Sequence, residues 1–302
     1  MGNGLSIAML GWKAQATTRH TLTTYRDSGL FSAGDEFLIY FNQYSAQDKA
    51  MADEFGVRSI GTDKNLGMWG GMEAIEKNTI GEYLLFLQDD HPVLVSSNEV
   101  KHWIDGGLEL LKSGKADIVY LRHRQKLGDG YGFDKFFRYH YVRELETRLT
   151  NQDKLLPKDY NRDTFSRKLH RALRPFAAKK RSISAMYLER HPEKILPGGL
   201  ACWEGDFLII DSELIQFSES PYMISRKFYN ELSAWAKRHP RHRTILGFQE
   251  MEYILNCRWW RKQHLKTATC DTGIFGHHRI DGSWRKENAF YNREMVEGGW
   301  KK

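Results

Sequence analysis

Short apolar runs alternate with amphipathic stretches along the first 121 residues of the chain. Runs rich in branched and aromatic side chains predict five strands, at residues 5–10, 36–41, 57–60, 83–87 and 117–121. The stretches between these strands predict four helices, at residues 17–25, 46–55, 67–77 and 100–112. Strands that alternate with helices are typical of an α/β protein with a mostly parallel sheet.

The pattern changes after Gly132. Residues 133–148 are aromatic and charged, and a basic segment follows that ends at Pro197-Gly198-Gly199. A new apolar run at 207–210 predicts a strand, and the aromatic-rich stretch 248–264 predicts one helix. We therefore expect three parts, which are residues 1–132, a basic helical insert at 133–197, and residues 198–302.

The net charge of +7 comes from the basic segment. Between Lys154 and Lys194, twelve basic residues stand against four acidic ones, so this stretch carries +8 and the rest of the chain −1. Within it, an apolar residue recurs every three or four positions, at Phe165, Leu169, Leu173 and Phe176. This spacing predicts a basic amphipathic helix, which either binds an anionic membrane surface or packs its apolar stripe on the body. A nucleic-acid partner is not expected, because such proteins more often spread positive charge over a whole face.

Cysteine content and the length of the apolar runs exclude two classes of protein. Three cysteines without a CxxC spacing do not make a disulfide framework. No apolar run approaches the membrane-spanning length of about 20 residues, and the N-terminal residues lack the pattern of a secretory signal. These features predict a cytoplasmic protein, and the basic segment adds the hypothesis of peripheral attachment to the inner face of the membrane.

Two adjacent carboxylates, Asp89 and Asp90, follow the fully apolar strand predicted at 83–87. In a parallel sheet, ligands bind beyond the carboxyl ends of the strands. A hard divalent cation that bridges phosphates prefers oxygen ligands of this kind. The alternative is an acidic turn without a ligand, so the pair alone does not define a function.

The context of this pair resembles the GT-A glycosyltransferases, especially the family-2-like group. In that family a loop of the Asp-x-x-Ser-x-Asp kind follows the second strand, an Asn-Leu-Gly opens a helix, and a later strand runs into a DxD or EDD motif. The corresponding segments here are residues 41–48, Asn65-Leu66-Gly67 and Gln88-Asp89-Asp90. The resemblance covers residues 1–95 well and continues more loosely to the end.

The resemblance implies a GT-A fold, which is a Rossmann-like, mixed and mostly parallel sheet flanked by helices. It also implies a nucleotide-diphospho-sugar donor and Mn²⁺ or Mg²⁺. Asp90 would bind the metal and Asp89 would contact the ribose or a metal-bound water. The other donor-binding residues would be Asn42, Asp48, Asn65 and Gly67. The sequence departs from the family at Gln88, which replaces an acid, and at Asn42, where an Asp commonly reads the base.

In the second half of the chain, the family has a late acidic motif that opens a helix and supplies the catalytic base. Glu250 is the best match and Glu252 is the reserve. The base would remove the proton of an acceptor hydroxyl as that hydroxyl attacks the anomeric carbon. The alternative is a solvated acid at a helix start, which the helix dipole favours.

The remaining candidates lie in glycine-rich stretches. The residues expected to contact a sugar are Gly199, Trp203 and Asp206, although an ordinary turn with a buried Trp would give the same pattern. The resemblance implies a C-terminal His as a metal ligand, which would be His277 or His278, with His278 preferred. Arg279 would neutralise the leaving diphosphate, and its alternative is a plain surface charge.

These residues support three functional hypotheses. The first is a metal-dependent glycosyltransferase that moves a sugar to a glycan or lipid-linked glycan acceptor in surface polysaccharide or lipopolysaccharide synthesis. Residues 1–132 would then bind the donor and residues 198–302 the acceptor. The second is a sugar nucleotidyltransferase, for which residues 11–15 are a poor glycine-rich loop. The third is a non-catalytic protein that binds anionic lipid or nucleic acid, which leaves the Asp pair unexplained.

Overall fold

A computed structural model describes residues 2–123, 165–173, 201–213, 215–241, 247–270 and 272–281. Gly199 and most of the predicted insert at 133–197 lie outside the described residues. The division into three parts therefore stays a prediction. No helix within the described ranges is long and apolar enough to cross a membrane.

All nine elements predicted over the first 121 residues are present. The strands are β1 (Leu5–Gly11), β2 (Glu36–Asn42), β3 (Arg58–Thr62), β4 (Tyr83–Gln88) and β5 (Ile118–Tyr120). The helices are α1 (Gln15–Asp27), α2 (Ala46–Glu54), α3 (Gly67–Asn78) and α4 (Ser97–Lys112). Local signals place their ends, since Ser45 and Ser96 form capping boxes that begin α2 and α4, and Gly56 with φ 66° follows α2.

The second half adds four strands and four helices within the described residues. The helices are α5 (Phe165–Leu173), α6 (Arg226–Arg238), α7 (Met251–Leu255) and α8 (Arg258–Lys262). The strands are β6 (Ala201–Glu204), β7 (Phe207–Asp211), β8 (Tyr222–Ser225) and β9 (Lys266–Cys270). Of these, β7 and α5 match the predicted strand and the predicted amphipathic helix.

The prediction of one helix over 248–264 is wrong, because two short helices occupy this stretch. The chain leaves the helical conformation at Asn256 and is extended at Cys257. The Asn256 side-chain amide donates to the Phe217 carbonyl at 2.8 Å, and Trp260 Nε1 donates to the Ile215 carbonyl at 2.8 Å. These bonds to a neighbouring segment hold the break in place, and helical periodicity does not report them.

One sheet of nine strands runs in the order β3-β2-β1-β4-β8-β5-β9-β7-β6. The parallel pairs are β3–β2, β2–β1, β1–β4 and β5–β9. Strand β8 lies antiparallel between β4 and β5, and β7 and β6 complete the far side as antiparallel strands. The predicted fold class, an α/β protein with a mixed sheet flanked by helices, is confirmed.

Helices cover both faces of this sheet. Alternate residues of β1 point to opposite faces, so Ile7 joins the core under α1 and α4 while Leu10 joins the core under α3 and α6. Strands buried on both faces explain the continuous apolar runs in the sequence. The carboxyl ends of β1, β2, β3, β4, β5 and β9 therefore meet at one edge of the sheet, which we call the carboxyl edge.

Candidate active site

Asp89 and Asp90 lie at the carboxyl edge, directly after β4, and both are buried. The Asp89 amide donates to the Leu10 carbonyl at 3.0 Å, which extends the pairing of β1 with β4. The Asp89 carboxylate in turn accepts from the amide of Trp12, in the loop after β1, at 3.0 Å. The two acids therefore sit where the sequence placed them, beyond the ends of two neighbouring parallel strands.

A segment far along the chain, residues 272–281, crosses this edge and surrounds Asp90. The amide of His278 donates to the Asp90 carbonyl at 2.7 Å. On the carboxylate itself, Oδ2 lies 3.3 Å from His277 Nε2 and 3.5 Å from Arg279 Nη1. Burial alone would raise the pKa of Asp90, but the charge and hydrogen bond of His277, together with the charge of Arg279, hold that pKa below its usual value.

The end of this segment is anchored on the first turn of α1. The Thr17 amide donates to the Asp281 carboxylate at 2.9 Å. In return, the amides of Ile280 and Asp281 donate to Thr17 Oγ1 at 2.9 and 3.2 Å. The carboxylate thus satisfies an amide near the helix start, where the positive end of the helix dipole also favours it. This anchor fixes the residues that face Asp90.

The two adjacent histidines point in different directions. His277 faces the Asp90 carboxylate, whereas the ring of His278 packs edge-on against His20 of α1, with centroids 5.5 Å apart. Neighbouring side chains of an extended segment are expected to diverge in this way. The structure therefore brings His277 to the acid pair, and it places the ring of His278, the histidine preferred from the sequence, against α1.

His91 is buried and lies near the other carboxylate oxygen of Asp90, with its ring centroid 5.6 Å from that of His277. Its Nδ1 accepts from the Gln88 amide at 3.0 Å, so the proton of the neutral ring is on Nε2, which lies 3.8 Å from Asp90 Oδ1. Burial lowers the pKa of His91 to about 3, and the charge of His277 acts in the same direction against that of Asp90. His91 is thus a neutral side chain that directs an N–H toward Asp90.

Asp90, His91 and His277 form a group whose possible ligand atoms lie within 4.8 Å of one another. Asp90 Oδ1 is buried and accepts no hydrogen bond within the described part of the chain. A carboxylate oxygen and an imidazole nitrogen both suit Mn²⁺, and the carboxylate suits Mg²⁺. Nδ1 of His91 accepts from the Gln88 amide, so His91 would offer Nε2 to a cation only by losing its last ring proton, whereas His277 can bind as a neutral imidazole. Asp90 and His277 therefore fit a divalent cation better than His91 does.

Asp89 differs from its neighbour in its electrostatic surroundings. Burial and the adjacent charge of Asp90 raise the pKa of Asp89 to about 7, although Arg279 and the Trp12 amide oppose this shift. Two carboxyl groups this close do not ionise independently. One negative charge is therefore held firmly on Asp90, and the second is held weakly on Asp89.

The predicted donor-binding residues after β2 hold the loops of this edge together. Asn42 is buried, and its side chain donates to the Gly67 carbonyl at 3.0 Å and accepts from the Leu66 amide at 3.2 Å. Asn65 Oδ1 accepts from the Gly67 amide at 2.8 Å. Gly67 has φ 74°, and a Cβ there would lie within 2.7 Å of Phe248 side-chain atoms. The two halves of the chain thus meet at Gly67.

Asp48, like Asn42, makes hydrogen bonds that serve the local structure. Its carboxylate accepts from the Ser45 amide at 2.9 Å in the capping box of α2, and it also accepts from the Gln15 side chain. Asp48 is buried, and these hydrogen bonds connect it to the first residue of α1 and to the N-cap of α2. The structure places it at the start of α2, with its carboxylate oxygens engaged by protein donors.

A second cluster of acids precedes β8 and α7. Glu219 and Glu250 are buried. The Glu219 amide lies 3.5 Å from Glu252 Oε2, and the Glu252 amide lies 3.4 Å from Glu219 Oε1. Burial, the charges of Glu250 and Glu252, and a side-chain hydrogen bond with Glu250 raise the pKa of Glu219 well above its usual value. Glu219 and Glu250 therefore form a carboxyl pair in which Glu219 holds the proton.

Gln88 links the two acid clusters. Its Nε2 donates to the Glu219 carbonyl at 2.8 Å, and its chain position is directly before Asp89. This contact is possible because β8 pairs with β4, so that Tyr222 lies opposite Phe86 and the residues before β8 lie at the carboxyl edge. Gln88 thus serves as a bridge between the halves of the chain.

The structure does not bring Trp203 and Asp206 to this site. Trp203 lies in β6, whereas Asp206 lies in the turn between β6 and β7 and pairs with His102 of α4 at 3.2 Å. Four strand-to-strand steps separate β4 from β7, which corresponds to about 19 Å at about 4.8 Å a step. Trp203 is 41% exposed, so it is not the buried Trp of the alternative prediction.

Sequence reasoning missed Glu219, Thr17 and Asp281. Glu219 stands alone in Ser218-Glu219-Ser220-Pro221, where turn residues precede a short apolar run and nothing marks an acid as functional. Thr17 and Asp281 act as a pair that is separated by 264 positions. The one sequence signal for Glu219 is the short apolar run at 222–225. A strand predicted there would have placed Glu219 just before its start.

Comparisons with known proteins complete this description. No protein-family model and no curated protein matches the chain. A nucleotidyl transferase from Methanothermobacter is similar over 41% of this chain and 64% of that one, with 10% identity and a TM-score of 0.31. Glucosyl-3-phosphoglycerate synthase from Mycobacterium tuberculosis, solved with Mn²⁺ and UDP-glucose, is similar over 38% and 42%, with 17% identity and a TM-score of 0.31. The aligned part spans less than two thirds of each solved structure.

Proposed function

We propose that the protein is a metal-dependent glycosyltransferase that uses a nucleotide-diphospho-sugar donor. The observation that carries the proposal is the buried Asp90 carboxylate between His277 and Arg279 at the carboxyl edge. This geometry joins the strand-end acid of the first half to the basic residues of the last described segment. The resemblance of the first 95 residues to GT-A glycosyltransferases supports the same assignment.

In this proposal Asp90 and His277 hold a divalent cation, Mn²⁺ or Mg²⁺. When bound, the cation supplies positive charge that stabilises a departing diphosphate. Arg279 is a half-buried guanidinium 3.5 Å from the Asp90 carboxylate, and it adds hydrogen bonds to the same diphosphate. Asp89, whose pKa is raised to about 7, would contact the donor ribose or a water molecule bound to the metal.

Glu250 is the proposed base that accepts the proton of the acceptor hydroxyl. Glu219 supports this role, because burial, the charges of Glu250 and Glu252 and a side-chain hydrogen bond with Glu250 raise its pKa and so keep a proton beside Glu250. Glu252 binds the Glu219 amide and keeps the pair in place. The acceptor we propose is a glycan or lipid-linked glycan of surface polysaccharide or lipopolysaccharide synthesis.

Thermal melting with UDP, GDP, CMP and dTDP, each with and without Mn²⁺, tests this proposal. Ligand at about 100 times its Kd stabilises a protein by about 2.7 kcal/mol, which melting resolves readily. We expect one nucleotide to raise the Tm only when Mn²⁺ is present. The Asp90→Asn variant should lose that increase, and the matched variant Asp206→Asn should keep it.

Two outcomes would contradict the proposal. Indifference of the Tm to all four nucleotides, with and without metal, would favour a non-catalytic protein. Consumption of a nucleoside triphosphate with release of pyrophosphate and formation of a nucleotide sugar would instead identify a nucleotidyltransferase.

A further inference from the structure

Helix α5 presents a row of exposed apolar side chains. Phe165 is 78% exposed, Leu169 47% and Leu173 71%. The other large apolar residues that are exposed in the described ranges lie singly on other elements, such as Ile80 after α3 and Leu94 before α4. A contiguous apolar row on a surface helix indicates that the helix contacts a partner or a surface that is not among the described residues.

The apolar positions and the polar positions of α5 fall on different sides of the helix. Successive residues of an α-helix are about 100° apart, so Phe165, Leu169 and Leu173 fall within an arc of about 80°. The polar positions fall on the remaining arc, and they are Ser166, Arg167, Lys168, His170 and Arg171. No acidic residue occurs among the nine residues of the helix.

This arrangement discriminates between classes of partner. A nucleic acid is bound mainly through its phosphates, and it would leave an apolar row of this kind in water. An anionic bilayer offers both contacts together, because apolar side chains enter the boundary of the acyl chains while cationic side chains meet the phosphate head groups. The charge of the surrounding sequence, +8 between Lys154 and Lys194, matches the same surface.

We infer that α5 lies on an anionic phospholipid surface, with Phe165, Leu169 and Leu173 inserted at the interface. The sequence left open whether the stripe packs on the body, and the exposure of Phe165, Leu169 and Leu173 favours an outside contact for these three side chains, while Phe176 lies outside the described residues. The inference does not depend on the proposed transferase activity. A protein with no glycosyltransferase activity could bind vesicles, and a transferase could fail to do so.

Flotation of the full chain with vesicles tests the inference. We expect binding to phosphatidylcholine vesicles that contain phosphatidylglycerol, weak binding to pure phosphatidylcholine, and loss of binding as salt is raised. The variant Phe165→Ser/Leu169→Ser/Leu173→Ser should bind at least about 10-fold more weakly, since it removes the apolar contribution. The matched control Ile80→Ser, which replaces a side chain that is 84% exposed outside α5, should bind like the wild type.

A second variant, Lys168→Gln/Arg171→Gln, keeps the apolar row and tests the charge alone. It should reduce the preference for phosphatidylglycerol by several-fold and leave the melting temperature unchanged, as should the triple variant. Unchanged vesicle binding by both variants would overturn the inference. So would binding that ignores lipid charge, or a stable dimer that the triple variant converts to monomers without any vesicle binding.

Discussion

The two buried acid clusters at the carboxyl edge differ in the charges that surround them. Asp90 is faced by His277, His91 and Arg279, and its pKa is held below the usual value despite its burial. The charged neighbours that act on Glu219 are Glu250 and Glu252, and burial adds to their effect, so its pKa is raised. Similar depth of burial therefore gives opposite protonation states.

This difference assigns different chemistry to the two clusters. A carboxylate that stays charged in a buried site suits a cation and the phosphates around it. A pair of neighbouring carboxyl groups in which the pKa of one is raised suits proton transfer, because the pair keeps a proton within reach of both members. The contrast comes from the chain segments that meet at each acid, since the acids themselves are of the same chemical type.

Removal of the Asp90 charge should have the largest effect. We expect Asp90→Asn to weaken Mn²⁺ binding by at least about 100-fold, because the proposed site loses its ionised oxygen ligand. Isothermal titration calorimetry with Mn²⁺ measures this change. Asp206→Asn, which alters an exposed acid on the far side of the sheet, is the control and should bind Mn²⁺ like the wild type. Equal affinity of Asp90→Asn and wild type would contradict the cation-binding role of this cluster.

The two histidines offer a sharper version of the same test. His277→Ala should weaken Mn²⁺ binding by about 10- to 100-fold, since His277 Nε2 faces Asp90. His278→Ala is the matched control, and a change below about 3-fold is expected because its ring packs on His20. The reverse order of the two effects would show that the ligand is His278.

The raised pKa of Glu219 should make the free energy of unfolding depend on pH. The pKa of Glu219 in the folded protein lies above its value of about 4.3 in the unfolded chain. The contribution of Glu219 to stability is therefore fully present below about pH 4.3, and it is lost as the pH rises through the folded-state pKa. The loss is about 1.4 kcal/mol for each pH unit by which the pKa is raised. We therefore compare the free energy of unfolding of Glu219→Gln with that of the wild type by urea unfolding at pH 5 and at pH 8. The difference should shift in favour of the variant from pH 5 to pH 8.

Glu231→Gln removes a carboxylate that is exposed on α6, and it serves as the control for this series. Its free energy of unfolding should follow that of the wild type at both pH values. If Glu219→Gln also follows the wild type, Glu219 does not hold an additional proton in the folded state, and the contrast between the clusters fails.

The smallest effect is expected at the bridge between the clusters. Gln88→Ala removes the hydrogen bond to the Glu219 carbonyl and should lower the free energy of unfolding by about 1 kcal/mol. Urea unfolding measures the change, and Gln47→Ala on the exposed face of α2 is the control. A loss no larger than that of the control would mean that the two clusters are not energetically linked through Gln88.

The first half of the fold was predictable because its signals are local. Apolar runs gave β1 to β5, and the helices between them were correctly placed. Ser45 and Gly56 mark the two ends of α2 within a few residues of the apolar pattern. Asp90 could be found in the same way, since it follows a strand whose direction in a parallel sheet fixes the edge at which it lies.

The second half was less predictable because its contacts are long-range. The helix expected over 248–264 is broken by bonds from Asn256 and Trp260 to residues 215–217, about which local periodicity carries no information. Strand β8 is only four residues long, and its place between β4 and β5 depends on pairing with strands far along the chain. Glu219 reaches the carboxyl edge only through that pairing.

By itself, the sequence determined the α/β order of the first half, the position of Asp89 and Asp90 at a strand end, and the amphipathic character of α5. Each of these follows from side-chain type at a fixed spacing along a regular backbone. Only the tertiary structure decided that His277 faces Asp90, that Glu219 pairs with Glu250, and that the apolar row of α5 is exposed. These depend on which distant segments meet, and burial and neighbouring charge then fix how each acid behaves.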